Sequence, residues 1–244
     1  MKSLAALAVV VGVASLLPIG PARAGTVGGG QPPAFSIDVS SSVGQDVLHL
    51  TPTLTDNGNG TFSVHGAETL PSFSIVFDFT LNPDPVISGS FALQNLSGAT
   101  QIFSVSATLG GLASIAGPTT ISGGFGEGLL SDTNNSESAV LVTAAFYQAR
   151  IDGVGVQDLG SFNPLEASGG PGITNTISQE AFGPGPGPGV TSSIGVAFPG
   201  FSLTAGDRVE TPFDFRVVPE PGLASLAVGL GVIFIARAAR RRPV

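Results

Sequence analysis

The chain has 244 residues, with 35 glycines, 19 prolines, no cysteine, no tryptophan, one tyrosine and a formal net charge of −8. Without cysteine there can be no disulfide, no thiol nucleophile and no acyl anchor of the lipoprotein kind. An acid excess at low overall charge also argues against a nucleic-acid binder, which needs a basic face to meet phosphate.

At the N-terminus, Lys2 opens a short basic region, residues 4–17 are apolar, and Ala22-Arg23-Ala24 supplies small side chains before a cleavage point. Residues 1–24 are therefore expected to be a signal peptide, cut by signal peptidase between Ala24 and Gly25 with Ala22 and Ala24 as the recognition positions. Six of the nine cations (Lys2, Arg23, Arg237, Arg240, Arg241 and Arg242) lie in the two end segments. Residues 25–218 then hold sixteen carboxylates against Arg150, Arg208 and Arg216, a net charge near −13.

That middle segment is rich in Gly, Ser, Thr and Pro, and its apolar residues alternate with polar ones, which predicts short antiparallel strands. Leu48, Leu50 and Leu54 share parity with Phe62 and Val64, so a hairpin between the two runs needs an odd-length loop if both face one core. Asp56-Asn57-Gly58-Asn59-Gly60-Thr61 is expected to supply it, with Asn57, Gly58 and Asn59 at the tip. As a calcium loop the run is defective: Gly58 stands where an EF-hand ligand belongs, and no glutamate follows at the twelfth position. Phe73, Ile75, Phe77, Phe79 and Leu81 line one face of a further strand, with only Val76 breaking the polar face. Phe103, Val105, Ala107 and Leu109 repeat the device.

Residues 140–147 are apolar on both parities, which predicts a strand covered on both faces, a helix being the other option. The run Gly183-Pro184-Gly185-Pro186-Gly187-Pro188-Gly189 has period two, not collagen's three, and is expected to be a surface loop or linker. It marks a candidate boundary before a last pair of strands at 193–198 and 201–218, where Phe213, Phe215 and Val217 alternate with Asp214 and Arg216. The two Phe-Asp-Phe triplets read as coincident patterning. The expected fold is all-β: an antiparallel β-sandwich of eight to twelve strands.

After Val218 comes Pro219-Glu220-Pro221, then an apolar run over residues 222–236, then Arg237, Arg240, Arg241 and Arg242. Fifteen helical residues rise about 22 Å, short of a hydrocarbon core of about 30 Å. If Arg237 snorkels to the headgroups, the span extends to Ala239. The arginines are expected on the cytoplasmic side and everything before Gly222 on the other. Ser225 with Gly229, and Ala227 with Gly231, place small residues four apart, where another membrane helix can approach.

These features together resemble the PEP-CTERM sorting signal of Gram-negative bacteria. The resemblance covers about a tenth of the chain: Pro219, Glu220 and Pro221 match the tripeptide, the following run its short membrane helix, and Arg237 and Arg240 to Arg242 its basic stop. It implies recognition by exosortase, a membrane-embedded processing enzyme thought to cleave near the tripeptide. It also implies a route across the inner membrane to the envelope surface or the extracellular polysaccharide. The expected organisation is thus residues 1–24 signal peptide, 25–218 acidic ectodomain and 219–244 sorting tail.

The ectodomain offers little chemistry. His49 and His65 are the only histidines, and the predicted hairpin sets them diagonally on its polar face, without a third metal ligand. No Gly-x-Ser-x-Gly elbow and no phosphate-binding loop occurs. Glu127, Asp152, Asp158, Asp207, Glu210 and Asp214 are the carboxylates from which a glycosidase pair would have to come. No tryptophan and one tyrosine disfavour an aromatic sugar platform. The expectation is a non-catalytic surface or matrix protein with no cofactor and no bound metal, the alternatives being a carbohydrate- or calcium-binding module and, more distantly, a glycoside-active enzyme.

Overall fold

The computed structural model describes residues 32–42, 46–131, 140–141, 145–160 and 174–220. The predicted signal peptide, the apolar run and the terminal arginines lie outside them, as does Pro221. The described residues form sixteen strands and no helix: β1 Ala34–Ser41, β2 Val47–Leu50, β3 Thr55–Asp56, β4 Phe62–Thr69, β5 Phe73–Asn82, β6 Val86–Asn95, β7 Gln101–Gly110 and β8 Thr119–Phe125 come first. Then follow β9 Gly128–Ser131, β10 Val140–Leu141, β11 Tyr147–Ile151, β12 Val154–Leu159, β13 Thr174–Ile177, β14 Glu180–Gly187, β15 Ser193–Leu203 and β16 Arg208–Pro219. This exceeds the expected number because short edge pieces such as β3 and β10 carry no alternation of their own.

All pairings are antiparallel, in two sheets. The first runs β12-β11-β15-β7-β1-β2, with β10 also on β15. The second runs β13-β9-β16-β6-β5-β4-β3, with β8 on β16 and β14 on β8. Their inner faces share one hydrophobic cluster, giving a β-sandwich-like fold. Phenylalanines meet across the sheets at both ends and in the middle. The ring centroids of Phe35 and Phe79 are 5.4 Å apart, those of Phe91 and Phe198 4.8 Å, and those of Phe73 and Phe103 5.8 Å. Such edge-to-face pairs add about 1 kcal/mol each beyond the area they bury. The predicted alternations of β5, β7 and β16 appear in their burial, and Val76 is an exposed apolar residue on the outer face of β5.

The predicted hairpin is corrected. Leu48 and Leu50 belong to β2, which pairs with β1 in the first sheet, while β4 pairs with β3 and β5 in the second. Residues 51–54, with Pro52 unable to donate to a ladder, carry the chain between the sheets. Leu48, Leu50, Leu54 and Phe62 do pack on one core. Common parity therefore located the core correctly, but sharing a core is not sharing a sheet. The loop is odd as expected, five residues between the paired Asp56 and Phe62, with Gly58 and Gly60 at φ of 74° and 83°.

Residues 140–147 do not form one strand. β10 and β11 both pair with β15, but Phe146 lies outside both and donates its N–H to Leu159 O at 3.0 Å. The reason is steric: Phe146 and Tyr147 are consecutive and both lie in the core, against Phe198 at 5.1 and 5.9 Å. A regular strand sends consecutive side chains to opposite faces, so the chain breaks its alternation to bury both.

The Gly-Pro run is a strand rather than a linker. β14 pairs with β8 through Gly185–Ile121, Pro186–Thr120 and Gly187–Thr119, with a register shift at the cis Gly183–Pro184 bond. Proline suits this place because β14 has a partner on one side only in its sheet. The two strands after it are interior: β15 lies between β7 and β11, and β16 between β6 on one side and β8 and β9 on the other. Residues 199–200 do not end a strand but form a register shift within β15. The Phe-Asp-Phe triplets flank β6, with Phe79 and Phe213 both opposite Gly89 and their rings 5.5 Å apart. A Cβ on Gly89 would stand 2.6 Å from the Phe79 ring and 2.2 Å from Asp78 O, so only glycine fits between them.

Candidate functional site

Three groups of polar side chains stand out: the carboxylates and histidines of the outer faces, a buried knot at one end of the sandwich, and a carboxylate clasp at the other.

On the outer face of the first sheet, His49 on β2 lies opposite Asp38 on β1, and Nδ1 is 2.5 Å from Asp38 Oδ1. Asp38 in turn lies opposite Ser106 on β7. The row His49-Asp38-Ser106 has the residue types of a hydrolase triad in the wrong order, with the acid where the base would have to be. His65 is on β4 in the second sheet, opposite Asp78. The predicted diagonal of His49 and His65 is thus overturned, since the strands that carry them lie in different sheets. Among the described residues no cluster of three His, Cys, Asp or Glu is placed to hold a metal ion.

The six candidate carboxylates do not converge. Asp152 sits in the β11–β12 turn and Asp158 on β12, both in the first sheet. Glu210 and Asp214 lie on β16 in the second sheet, Glu127 between β8 and β9, and Asp207 in the β15–β16 turn. Glu210 and Asp214 share a face but are about 13 Å apart along the strand, beyond either glycosidase spacing. Glu210 is instead bound by Arg208 at 2.8 Å. Partial burial raises the pKa of Asp214 above the usual carboxylate range. Its backbone carbonyl accepts the hydroxyl of Tyr147 at 2.7 Å, a tie from β11 of one sheet to β16 of the other. Burial, and then the charge of Asp214, push the Tyr147 pKa upward, so this hydroxyl stays protonated and serves as a donor.

The turn at 56–61 consumes its own oxygens. Asp56 Oδ1 accepts Gly58 N–H at 2.8 Å, Asn59 Oδ1 accepts Thr61 N–H at 3.1 Å, and Asn57 Oδ1 accepts the Ser63 hydroxyl at 3.0 Å. The first two are Asx-turn bonds, which fix the backbone, and the third ties the turn to β4.

Asn95, at the end of β6, is fully buried. Its amide nitrogen donates to the carbonyls of Ala99, Leu203 and Thr204 at 2.8, 2.9 and 3.0 Å. Its oxygen accepts Ser97 N–H at 3.0 Å, the Ser97 hydroxyl at 2.8 Å and Gln101 Nε2 at 3.2 Å. Gln101 continues the network to Ser41, Ser72 reaches Asp46, and Thr204 donates to Asp207 at 2.5 Å. Four turns (β1–β2, β4–β5, β6–β7 and β15–β16) meet on these side chains. Nothing in the spacing of Asn95 announced this, although Asn-x-Ser is a common Asx-turn opening.

At the opposite end, Asp152 takes a left-handed φ of 50° in the β11–β12 turn. Its carboxylate accepts the N–H groups of Thr191, Ser192 and Ser193 at 2.7, 2.8 and 2.9 Å, together with the hydroxyls of Thr191 and Ser192. Desolvation would raise its pKa, but these bonds outweigh it and hold the carboxyl well below the usual range.

This end is also where the chain leaves the sheet. β1 starts here, with Ala34 opposite Gly110, and β16 finishes here, with Pro219 opposite Thr119. Glu220 N–H reaches Pro118 O at 3.4 Å, Val217 N–H donates to Pro85 O at 3.0 Å, and the Thr119 hydroxyl donates to Pro188 O at 2.7 Å. Two residues of the tripeptide are therefore described: Pro219 as the last residue of the strand, and Glu220 just beyond it. Pro221 and all four tail arginines lie outside the described residues, as do Ala22 and Ala24. No protein-family model matches the chain, and no curated protein matches it.

Proposed function

We propose that this chain is an exported, non-catalytic surface or extracellular-matrix protein, an acidic β-sandwich ectodomain delivered by a C-terminal sorting tail of the PEP-CTERM kind. The observation that carries this reading is the order of four elements at one end of the sequence: a strand, Pro219-Glu220-Pro221, a short apolar run, and Arg237 with Arg240 to Arg242. On this reading signal peptidase removes residues 1–24, the apolar run anchors the chain in the inner membrane, and an exosortase-type enzyme then releases the ectodomain to the envelope surface or polysaccharide. The position of β16 supports it, since the strand delivers the tripeptide to the rim of the domain.

Mass spectrometry of the exported form tests the proposal. The expected C-terminus lies close to residues 219–221, and recovery of intact Val244 would refute processing. Replacing the four tail arginines with serine should reduce membrane retention and processing; unchanged processing would remove the role assigned to them.

A further inference from the structure

We infer that the end of the sandwich from which β16 exits rests directly on the bilayer, with the loops at 110–119 and 187–193 as its membrane-facing surface. This deepens the anchored-tail reading and depends on it. Pro219 is still paired with Thr119, and Glu220 N–H still reaches Pro118 O. Only Glu220 and Pro221 separate that last rung from the apolar run at Gly222. Three residue steps of fully extended chain span at most about 11 Å. The headgroup layer on each side of the hydrocarbon is roughly 5–8 Å thick, so the tether holds Pro219 within or just above the headgroups.

The strand cannot supply more slack. Val217 is buried, its N–H is taken by Pro85 O, and β16 is flanked by β6 on one side and β8 on the other. Lengthening the tether would mean stripping an interior strand out of the second sheet.

The neighbouring loops suit the location. Residues 110–119 and 181–193 contain no Asp, Glu, Lys or Arg, the first lying within a run, 85–126, that carries no charge at all. They are joined to each other by the Ile115–Val190 bridge and to the exit by Thr119. An acidic face pressed on anionic headgroups would be repelled, and uncharged loops avoid this. Asp152 at the same end is already engaged by five donors. Asp84, beside Pro85, Arg216, opposite Val86, and Glu220 are described charges near the exit. The knot around Asn95, at the far end of the twelve-residue β16, stands up to about 40 Å from the surface.

The cysteine-free chain permits a clean test. Ala116→Cys in the exit loops, Ala99→Cys at the far end and Ala227→Cys in the apolar run would each be labelled with a small fluorophore. The full-length chain would be reconstituted in 3:1 phosphatidylethanolamine–phosphatidylglycerol vesicles carrying a headgroup or an acyl-chain quencher. The headgroup quencher should reduce the Ala116→Cys signal severalfold more than that of Ala99→Cys, and a twelve-residue Gly-Ser insertion between Glu220 and Pro221 should abolish the difference. Equal quenching at positions 116 and 99, with position 227 quenched from the acyl region, would overturn the inference and leave the anchor intact. An unquenched probe at position 227 would overturn the anchor reading itself, and this inference with it.

Discussion

The two ends of the sandwich are closed by different chemistry, a neutral amide at one and a carboxylate at the other. Asn95 is buried and binds only neutral partners itself, while Asp46 and the buried Asp207 sit at the margin of the same network. Asp152 lies in a more open turn and closes two loops through a charge. A fully buried knot must be neutral or paired, because an isolated charge there is too costly to desolvate. A rim position can use a charge, since water still solvates part of it. The Asn95 bonds should thus be strong and insensitive to pH, and the Asp152 clasp weaker and sensitive to acid.

The comparison breaks most readily at Asn95. Replacing Asn95 with Ala leaves several buried carbonyls and donors without partners, and should cost about 3 kcal/mol or more in urea denaturation, with the same loss at pH 5 and pH 8. A loss under 1 kcal/mol would show that the knot is ornamental. Between the two ends, Tyr147→Phe removes the tie to Asp214 O and should cost roughly 1 kcal/mol, read from the shift in denaturation midpoint.

At the exit end, Asp152→Asn should cost about 1 kcal/mol at neutral pH, after allowance for solvent exposure. The folded pKa of Asp152 lies below its unfolded value, so its contribution is complete above about pH 4 and disappears as the pH falls through the folded value. Wild type and Asp152→Asn should accordingly converge in stability under acid, and a constant difference down to pH 2 would contradict the clasp. The smallest effect is expected at Asp214, whose shift has the opposite sign. Its raised pKa means that ionisation is disfavoured in the fold, so Asp214→Asn should stabilise slightly at pH 7, with the gain shrinking as the pH falls through the folded pKa and gone below the unfolded value. Thermal melts of the variant and wild type at pH 3 and pH 7 would read this difference.

The fold class was legible in the sequence because β5, β7 and β16 alternate cleanly, and period-two burial is a local property. Pairing partners were less legible, because parity reports which face meets the core and not which sheet holds the strand, as Leu48 and Phe62 demonstrate. Residues 140–147 misled for a related reason. Two consecutive core aromatics violate the period that the reading depended on, and only the surrounding phenylalanines explain the break. The Gly-Pro run misled through composition, since a strand with one neighbour tolerates prolines that an interior strand would not. The tie from Tyr147 and the knot at Asn95 unite residues 67 and about 100 positions apart, and no pattern within a window of ten residues encodes them.

β16 also dictates the order in which the molecule can be completed during synthesis. It is the only described strand that joins β6 to β8 and β9. The second sheet therefore stays in three unconnected pieces, β3-β4-β5-β6, β8-β14 and β9-β13, until nearly the last described residue has emerged. A chain made from the N-terminus can form the β4-β5-β6 meander early, since those contacts are close in sequence, but β16 must close loops of more than a hundred residues to reach β6. Completion of the sheet and emergence of the C-terminal segment thus coincide: the strand that joins the pieces is immediately followed by Glu220, Pro221 and the apolar run.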